Sequence, residues 1–220
     1  MTVKIKYSNL DKLVYNKVKE MILKKQLKPG EQIIQEELAK KLGTSRTPLR
    51  KALSQLAKEH LVKVMPRGGT YVREFSKEEM ITIFEMREVL EGLACRRATQ
   101  VVKKEQLEYF KNLYEKAMES ITDTDWQTYQ TADIKFHFFI VESSGVRLLE
   151  DIVKSFHILS NSFTPGLIRP PKETFPEHMA IIDALARRDP DAAESLMREH
   201  LKKTIAVLKK SSSEKPIGSV

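Results

Sequence analysis

The sequence predicts a mainly α-helical protein in two parts: three helices and a β-hairpin, followed by an all-α bundle of six helices. Three observations carry this. The first 73 residues hold three apolar stripes at helical spacing and then two short β-prone runs separated by a glycine pair. Every sizeable segment beyond residue 77 repeats its apolar residues at three- and four-residue steps, and none alternates as a strand does. The charge divides at the same place: residues 1–75 carry 17 Lys and Arg against 7 Asp and Glu, net +10, and the rest carry 21 against 23, net −2. A basic domain of that size attracts a polyanion, whereas the remainder is a nearly neutral body.

A chain of 220 residues suits two unequal domains, and 41% hydrophobic with 31% charged residues is enough apolar mass for real cores. The most apolar stretches, such as residues 136–141, fall far short of the roughly 20 residues a bilayer span requires. A cytoplasmic protein without membrane partners is expected. The single cysteine, Cys95, cannot form an internal disulfide; it falls in an amphipathic helical pattern and is assigned no role.

Along the first domain, residues 1–73, apolar side chains at Leu10, Leu13, Val14, Val18, Met21 and Ile22 make one face of a helix over 10–26, which Pro29 and Gly30 break. A second helix over 35–42 buries Leu38 and Leu42, and Gly43 lets the chain turn sharply in a left-handed conformation. Thr44 or Ser45 can cap a third helix over 46–59, which tolerates Pro48 in its first turn and buries Leu49, Leu53 and Leu56. The β-prone runs 61–65 and 70–73 flank Pro66, Arg67, Gly68 and Gly69 as a hairpin. Helix, helix, turn, helix and hairpin is the order of a winged helix-turn-helix.

The third helix then presents Ser45, Arg46, Thr47, Arg50 and Lys51 from its first turns. An arginine can bond both acceptors on a guanine edge, hydroxyls and Lys can hold phosphates, and the free amides of the helix start suit a phosphate. Arg67, with Arg73, places positive charge on the wing. A solvated basic surface is the alternative for any one of these residues; together on one element beside a wing they point to double-stranded DNA.

The run PGEQIIQEELAKKLGTSRTPLRKALSQLAKEHLVKVMPRGGTYV, residues 29–72, resembles the GntR superfamily, in which a Ser-Arg-Thr-Pro-x-Arg segment opens the recognition helix. The resemblance implies base reading by Arg46 and Arg50 and backbone contacts from Thr44, Ser45 and Thr47. Two departures stand out. Glu36 replaces an arginine that some relatives carry in the helix before the turn, which removes support for contacts from that helix, and His60 replaces the glycine usual between helix and wing.

After a linker at 74–77, helices are expected at about 77–100, 103–120, 124–143, 146–162, 173–187 and 190–210, with breaks at Ser144-Gly145, at Thr164-Pro165-Gly166 with Pro170-Pro171, and at Asp189-Pro190. The polar tail 211–220 is expected to be disordered. Bundles of this kind place ligand and metal sites in their cores. Asp133 and His137, four apart, share one helix face; His178 and His200 lie on the fifth and sixth helices of the bundle. If those helices adjoin, one carboxylate and three imidazoles form a set for Zn²⁺, Ni²⁺ or a similar divalent ion. Taken singly, each histidine is more often a packed or surface residue than a ligand.

The segments MREVLEGLACRRA (86–98), DIKFHFFIVESSG (133–145), EHMAIIDALARRDPDAA (177–193) and MREHL (197–201) resemble the FadR-type C-terminal ligand-binding domain, FCD, over residues 78–210. The resemblance implies a metal site at Asp133, His137, His178 and His200, a carboxylate effector paired with Arg87, and, with six helices, the VanR-like branch. A structural salt bridge is the alternative for Arg87. Val146 departs from the family's Ser-Gly-Asn without touching these ligands. The implied function is a sequence-specific transcriptional regulator, usually a repressor, binding a near-palindromic operator as a homodimer under control of a small carboxylate. A metal-dependent enzyme with a DNA-binding head, or a regulator that senses the metal itself, are the alternatives; no general acid or base is placed by motif beside the proposed ligands.

Overall fold

The computed structural model describes residues 6–66, 68–122, 126–163 and 167–210. Arg67, the Thr164-Pro165-Gly166 break and the tail at 211–220 fall outside them. The chain forms two compact units, Met1–Phe75 and Ser76–Val220.

In the first unit, α1 (Lys6–Leu23), α2 (Gln35–Lys41) and α3 (Arg46–Lys58) precede a hairpin of β2 (Val62–Met65) and β3 (Gly69–Val72). A two-residue strand, β1 (Gln32–Ile33), adds to β3 with Gln32 opposite Tyr71 and Ile33 opposite Thr70, so the antiparallel sheet runs β1-β3-β2. Two residues are too few for alternation to register, which is why the sequence shows the hairpin and not its third strand. The helices hold together through Val14, Val18, Met21 and Ile22 of α1 and Leu49, Leu53 and Leu56 of α3, all buried. Each such side chain contributes roughly 1.5–3 kcal/mol of burial.

Two backbone turns position α3. Gly43 adopts φ 61°, and the N–H groups of Gly43 and Thr44 close the end of α2 on Lys40 O and Ala39 O, at 3.1 and 3.0 Å. His60 ends the next turn with φ 59°, the left-handed conformation that a glycine adopts freely. Its ring compensates by accepting at Nδ1 from Arg73 Nη1 at 2.9 Å, tying the end of α3 to the wing.

The second unit contains, among the described residues, α4 (Lys77–Ala98), α5 (Lys104–Glu119), α6 (Gln127–Ser143), α7 (Arg147–Phe163), α8 (Pro171–Ala186) and α9 (Pro190–Lys210). A capping box starts α4: Glu79 N–H donates to Ser76 Oγ, and Ser76 N–H donates to the Glu79 side chain. The proline pair expected to lie in a break instead begins α8, because a proline in the first turn loses no helical hydrogen bond. Helices α4 and α9 pack antiparallel along their length, Lys77 Nζ reaching Lys209 O at one end and Arg96 reaching Asp191 at the other. Gly92 permits the close approach: a Cβ there would lie 2.7 Å from Arg198 Cγ.

An aromatic cluster fills the space between α5 and α6. Phe110 and Tyr114 pack edge-on against Phe136 at 5.4 and 5.7 Å between centroids, and Tyr114 stacks on the His178 ring at 4.7 Å. Among the described residues no helix is long and apolar enough to cross a membrane. Because Leu56 is fully buried, Leu56→Ala is expected to cost about 2–5 kcal/mol in urea unfolding followed by circular dichroism; a loss under about 1 kcal/mol would show that α3 is not anchored as described.

Candidate DNA interface and candidate metal centre

The buried stripe of α3 faces α1, which forces the opposite face outward. That face presents Thr47, Arg50, Lys51, Ser54, Gln55 and Lys58 along a shallow groove, with Ser45 and Arg46 exposed at its leading end. Among the described residues neither Arg46 nor Arg50 has a hydrogen-bond or ion-pair partner, so both guanidinium groups remain available. Lys51 is held by Asp11 of α1 at 2.8 Å, a solvent-exposed pair of small energetic weight. Ser45 occupies the N-cap position but makes no side-chain capping bond, which leaves the first amides of α3 open to an external acceptor. Thr44 is less accessible, its Oγ1 buried without a partner. Ser54, Gln55 and Lys58 extend the same face beyond the residues singled out from sequence; their three- and four-residue spacing from Thr47 and Arg50 is the signal that finds them.

In the second unit, α6, α8 and α9 bring Asp133, His137, His178 and His200 together, with one potential ligand atom from each lying within 4.8 Å of all the others. Asp133 Oδ1 stands 3.8 Å from His137 Nε2 and 3.3 Å from His178 Nε2. The three imidazoles are buried and Asp133 is partly exposed.

Each ring is held from behind. His137 Nδ1–H donates to Glu91 Oε2 at 2.5 Å, and His200 Nδ1–H donates to Glu177 Oε2 at 2.8 Å. His178 Nδ1 lies 3.1 Å from the Tyr129 hydroxyl, which itself is 2.9 Å from Thr174 Oγ1. With Nδ1–H given to a carboxylate, His137 and His200 each keep a lone pair on Nε2, the arrangement that an acceptor behind the ring imposes on histidines that bind metals. The fit to a cation rests on one further fact: His178 Nε2 is buried with no hydrogen-bond partner, a costly state for a polar atom unless something binds it. Burial, reinforced by His200 and His137, pushes His178 well below its ordinary pKa, and burial also lowers His200 against the pull of Glu177. Both are neutral bases near pH 7, as a metal ligand must be.

Arg87 lines the same cavity as Asp133, His137 and His200. It is buried, lies over the Phe84 ring, donates from Nε to Glu91 Oε1 at 2.6 Å and from Nη1 to Ser160 Oγ at 3.4 Å. The structural ion pair is therefore present, and it coexists with a guanidinium at the cavity wall. Glu91 carries further weight: fully buried, it also accepts from His157 Nε2 at 3.0 Å. Burial works to raise the Glu91 carboxyl, but Arg87, His157 and His137 together hold it well below the usual carboxylate range, while burial and then Arg87 lower His157 to about 4.

Arg169, another buried arginine on the cavity wall, makes a two-pronged bond to Glu177 at 2.7 and 2.8 Å. Although burial opposes it, hydrogen bonds from His200, Arg169 and Lys203 hold Glu177 below the usual range. Glu91, His157, Arg169, Glu177 and Tyr129 were not legible as site residues. The one available signal was Arg87 and Glu91 four apart among the apolar positions of one helix. Arg87→Met is expected to cost about 3–5 kcal/mol in urea unfolding, because it strands a buried carboxylate, and replacing Glu91 by Leu at the same time should recover much of that loss.

Comparison with known proteins identifies the family of each unit. The model of bacterial regulatory proteins of the gntR family matches residues 10–72, and the FCD domain model matches residues 82–203. The HTH-type transcriptional regulator YcbG of Bacillus subtilis is 30% identical over 209 residues, covering 88% of this chain and 87% of its own. The HTH-type transcriptional repressor RspR of Escherichia coli is 25% identical, covering 86% and 84%. The structure of E. coli McbR superposes with a TM-score of 0.71 at 23% identity over 91% of this chain and 97% of its own, and that of a GntR regulator from Rhodococcus sp. RHA1 with 0.75 at 20% identity, covering 92% and 99%. With a winged helix-turn-helix unit ahead of a helical unit, and both family models matched in that order, the chain belongs to the GntR family of transcriptional regulators, joining a DNA-binding domain to an FCD domain.

Proposed function

We propose that this regulator is a repressor that binds a near-palindromic operator as a homodimer and is controlled by a small carboxylate effector held at a divalent metal ion, zinc or nickel. The division of labour assigns DNA to residues 1–73, a linker to 74–77, and ligand binding and dimerisation to 78–210. The observation that carries the effector site is the convergence of Asp133, His137, His178 and His200, with His178 Nε2 buried without a hydrogen bond 3.3 Å from Asp133 Oδ1, beside the Arg87 guanidinium in one cavity. Three imidazoles and one carboxylate match the donor preference of such ions and leave coordination positions over.

When bound, the ion supplies Lewis-acid positions that can hold an effector carboxylate. The protein's own part is positional: Glu91, Glu177 and Tyr129 aim the three rings, and Arg87 offers hydrogen bonds to an anion at the wall. In the amino-terminal domain, the free Arg46 and Arg50 suit base edges, Ser45, Thr47 and the open start of α3 suit phosphates, and Lys51 can leave its exposed pair with Asp11 for a phosphate. Met86, Val89 and Leu93 form an exposed apolar stripe on one face of α4, which supports dimer contacts through the helical domain. Six described helices there support the VanR-like branch. The name of RspR records repression for that relative and supports the same sign here. Control requires only that the effector bind one arrangement of the dimer better than the other.

The decisive measurement is operator binding by the purified protein with and without small carboxylates, each in the presence and absence of a chelator. A carboxylate that shifts operator affinity only when metal is retained supports the reading; a shift caused by the ion alone makes the metal the signal, and catalytic turnover of the carboxylate would make the protein an enzyme. Arg46→Ala or Arg50→Ala is expected to weaken specific binding by about 1–3 kcal/mol and to relax base preference, and an unchanged operator profile would remove them from the interface. His178→Ala should abolish stoichiometric metal uptake while the circular dichroism spectrum stays helical; full occupancy in that variant would exclude His178 as a ligand.

A further inference from the structure

Besides the four proposed ligands, a second group of metal-binding side chains is brought together in the bundle: Glu91, His137 and His157, all buried, with ligand atoms within 4.8 Å of one another. This group does not suit a second ion. The Arg87 guanidinium, 2.6 Å from Glu91 Oε1, already fills the place of a cation there. What remains is a carboxylate whose two oxygens do different work. Oε1 accepts from Arg87 Nε and from His157 Nε2, while Oε2 accepts from His137 Nδ1 at 2.5 Å.

We propose that Glu91 is a positioning residue for the metal centre: Oε2, 2.5 Å from His137 Nδ1, holds that ring in the orientation whose Nε2 faces Asp133, and Arg87, 2.6 Å from Oε1, holds the carboxylate in place. The proposal rests on the metal reading of Asp133, His137, His178 and His200. Its geometry is that of a carboxylate behind a metal-bound imidazole, which orients the ring and raises its basicity. Glu177 behind His200 is bonded to the cavity-wall Arg169 as Glu91 is to Arg87, but Glu177 is partly exposed, whereas Glu91 is fully buried and accepts from three side chains. His157, on α7, bonds Oε1 at 3.0 Å and, among the described residues, makes no hydrogen bond to a proposed ligand, its ring lying 5.4 Å from that of His137.

The test uses the full-length chain and Zn²⁺ as probe. Affinity is measured by competition with a chromophoric chelator, and the His137 tautomer by nitrogen-15 NMR of the imidazoles. Glu91→Gln is expected to weaken Zn²⁺ binding about 10- to 100-fold and to move His137 away from the pure Nδ1–H form, whereas His157→Gln should leave affinity within about threefold of the parent. If Glu91→Gln does not fold, the paired Arg87→Met with Glu91→Leu removes both charges together and should show the same loss of affinity. Unchanged Zn²⁺ affinity in either Glu91 variant, or weakened affinity with the His137 tautomer intact, overturns the proposal. An equal loss in His157→Gln also overturns it, since the effect would then belong to the packing of the cluster. A parent protein that takes up neither Zn²⁺ nor Ni²⁺ overturns the metal reading itself.

Discussion

Burying four imidazoles, two arginines and a carboxylate inside a helical bundle is the constraint on which the second unit is built. Each such group loses its hydration, and a buried polar atom without a partner costs about 1–3 kcal/mol, a charged one more. The bundle answers this by giving each ring nitrogen that points away from the centre a hydrogen-bond partner: Glu91 for His137, Tyr129 for His178, Glu177 for His200. These partners are themselves tied down, Glu91 by Arg87 and His157, Glu177 by Arg169 and Lys203, Tyr129 by Thr174. The rings are thereby confined to one orientation, and the inward nitrogens are left facing Asp133.

That arrangement makes the core polar where an ordinary bundle is apolar, and the fold offsets it with packing nearby. Tyr114 lies flat on His178, Phe136 lies edge-on to it, and α4 closes against α9 at Gly92. Such packing holds the supporting side chains in single positions, which a metal or anion site needs because misplacement of a ligand by about 1 Å is enough to weaken it. The same residues therefore serve stability and binding, and a substitution among them is expected to disturb both.

The first unit obeys a simpler rule. One face of α3 is buried by Leu49, Leu53 and Leu56, so the opposite face must meet solvent, and there Arg46 and Arg50 stand without partners among the described residues. Positive charge left uncompensated beside an open helix start is stable in water and is also ready for a polyanion. His60 illustrates how a backbone demand is met by another residue type: the left-handed turn is kept, with Arg73 bonded to the ring.

Local order was legible in the sequence because periodicity and turn chemistry act over a few residues. The apolar stripes placed α1 to α9 to within a few residues at their ends, Gly43 marked the turn between α2 and α3, and Ser-Arg-Thr-Pro-x-Arg marked the exposed start of α3. Asp133 and His137 were readable as a pair since four residues on a helix bring two side chains to one face. The short strand β1 and the proline start of α8 escaped, the one too brief for a pattern and the other because prolines break helices more often than they open them.

By itself, then, the chain's order of residues determined the two-part helical architecture, the division of charge, and which side chains share a helix face. Only the tertiary structure decided that α6, α8 and α9 adjoin, that Glu91 and His157 meet His137 across three helices, and that Arg169 and Glu177 stand behind His200. The physical reason is that contacts between helices depend on packing between segments tens of residues apart, where no local spacing records which faces will meet.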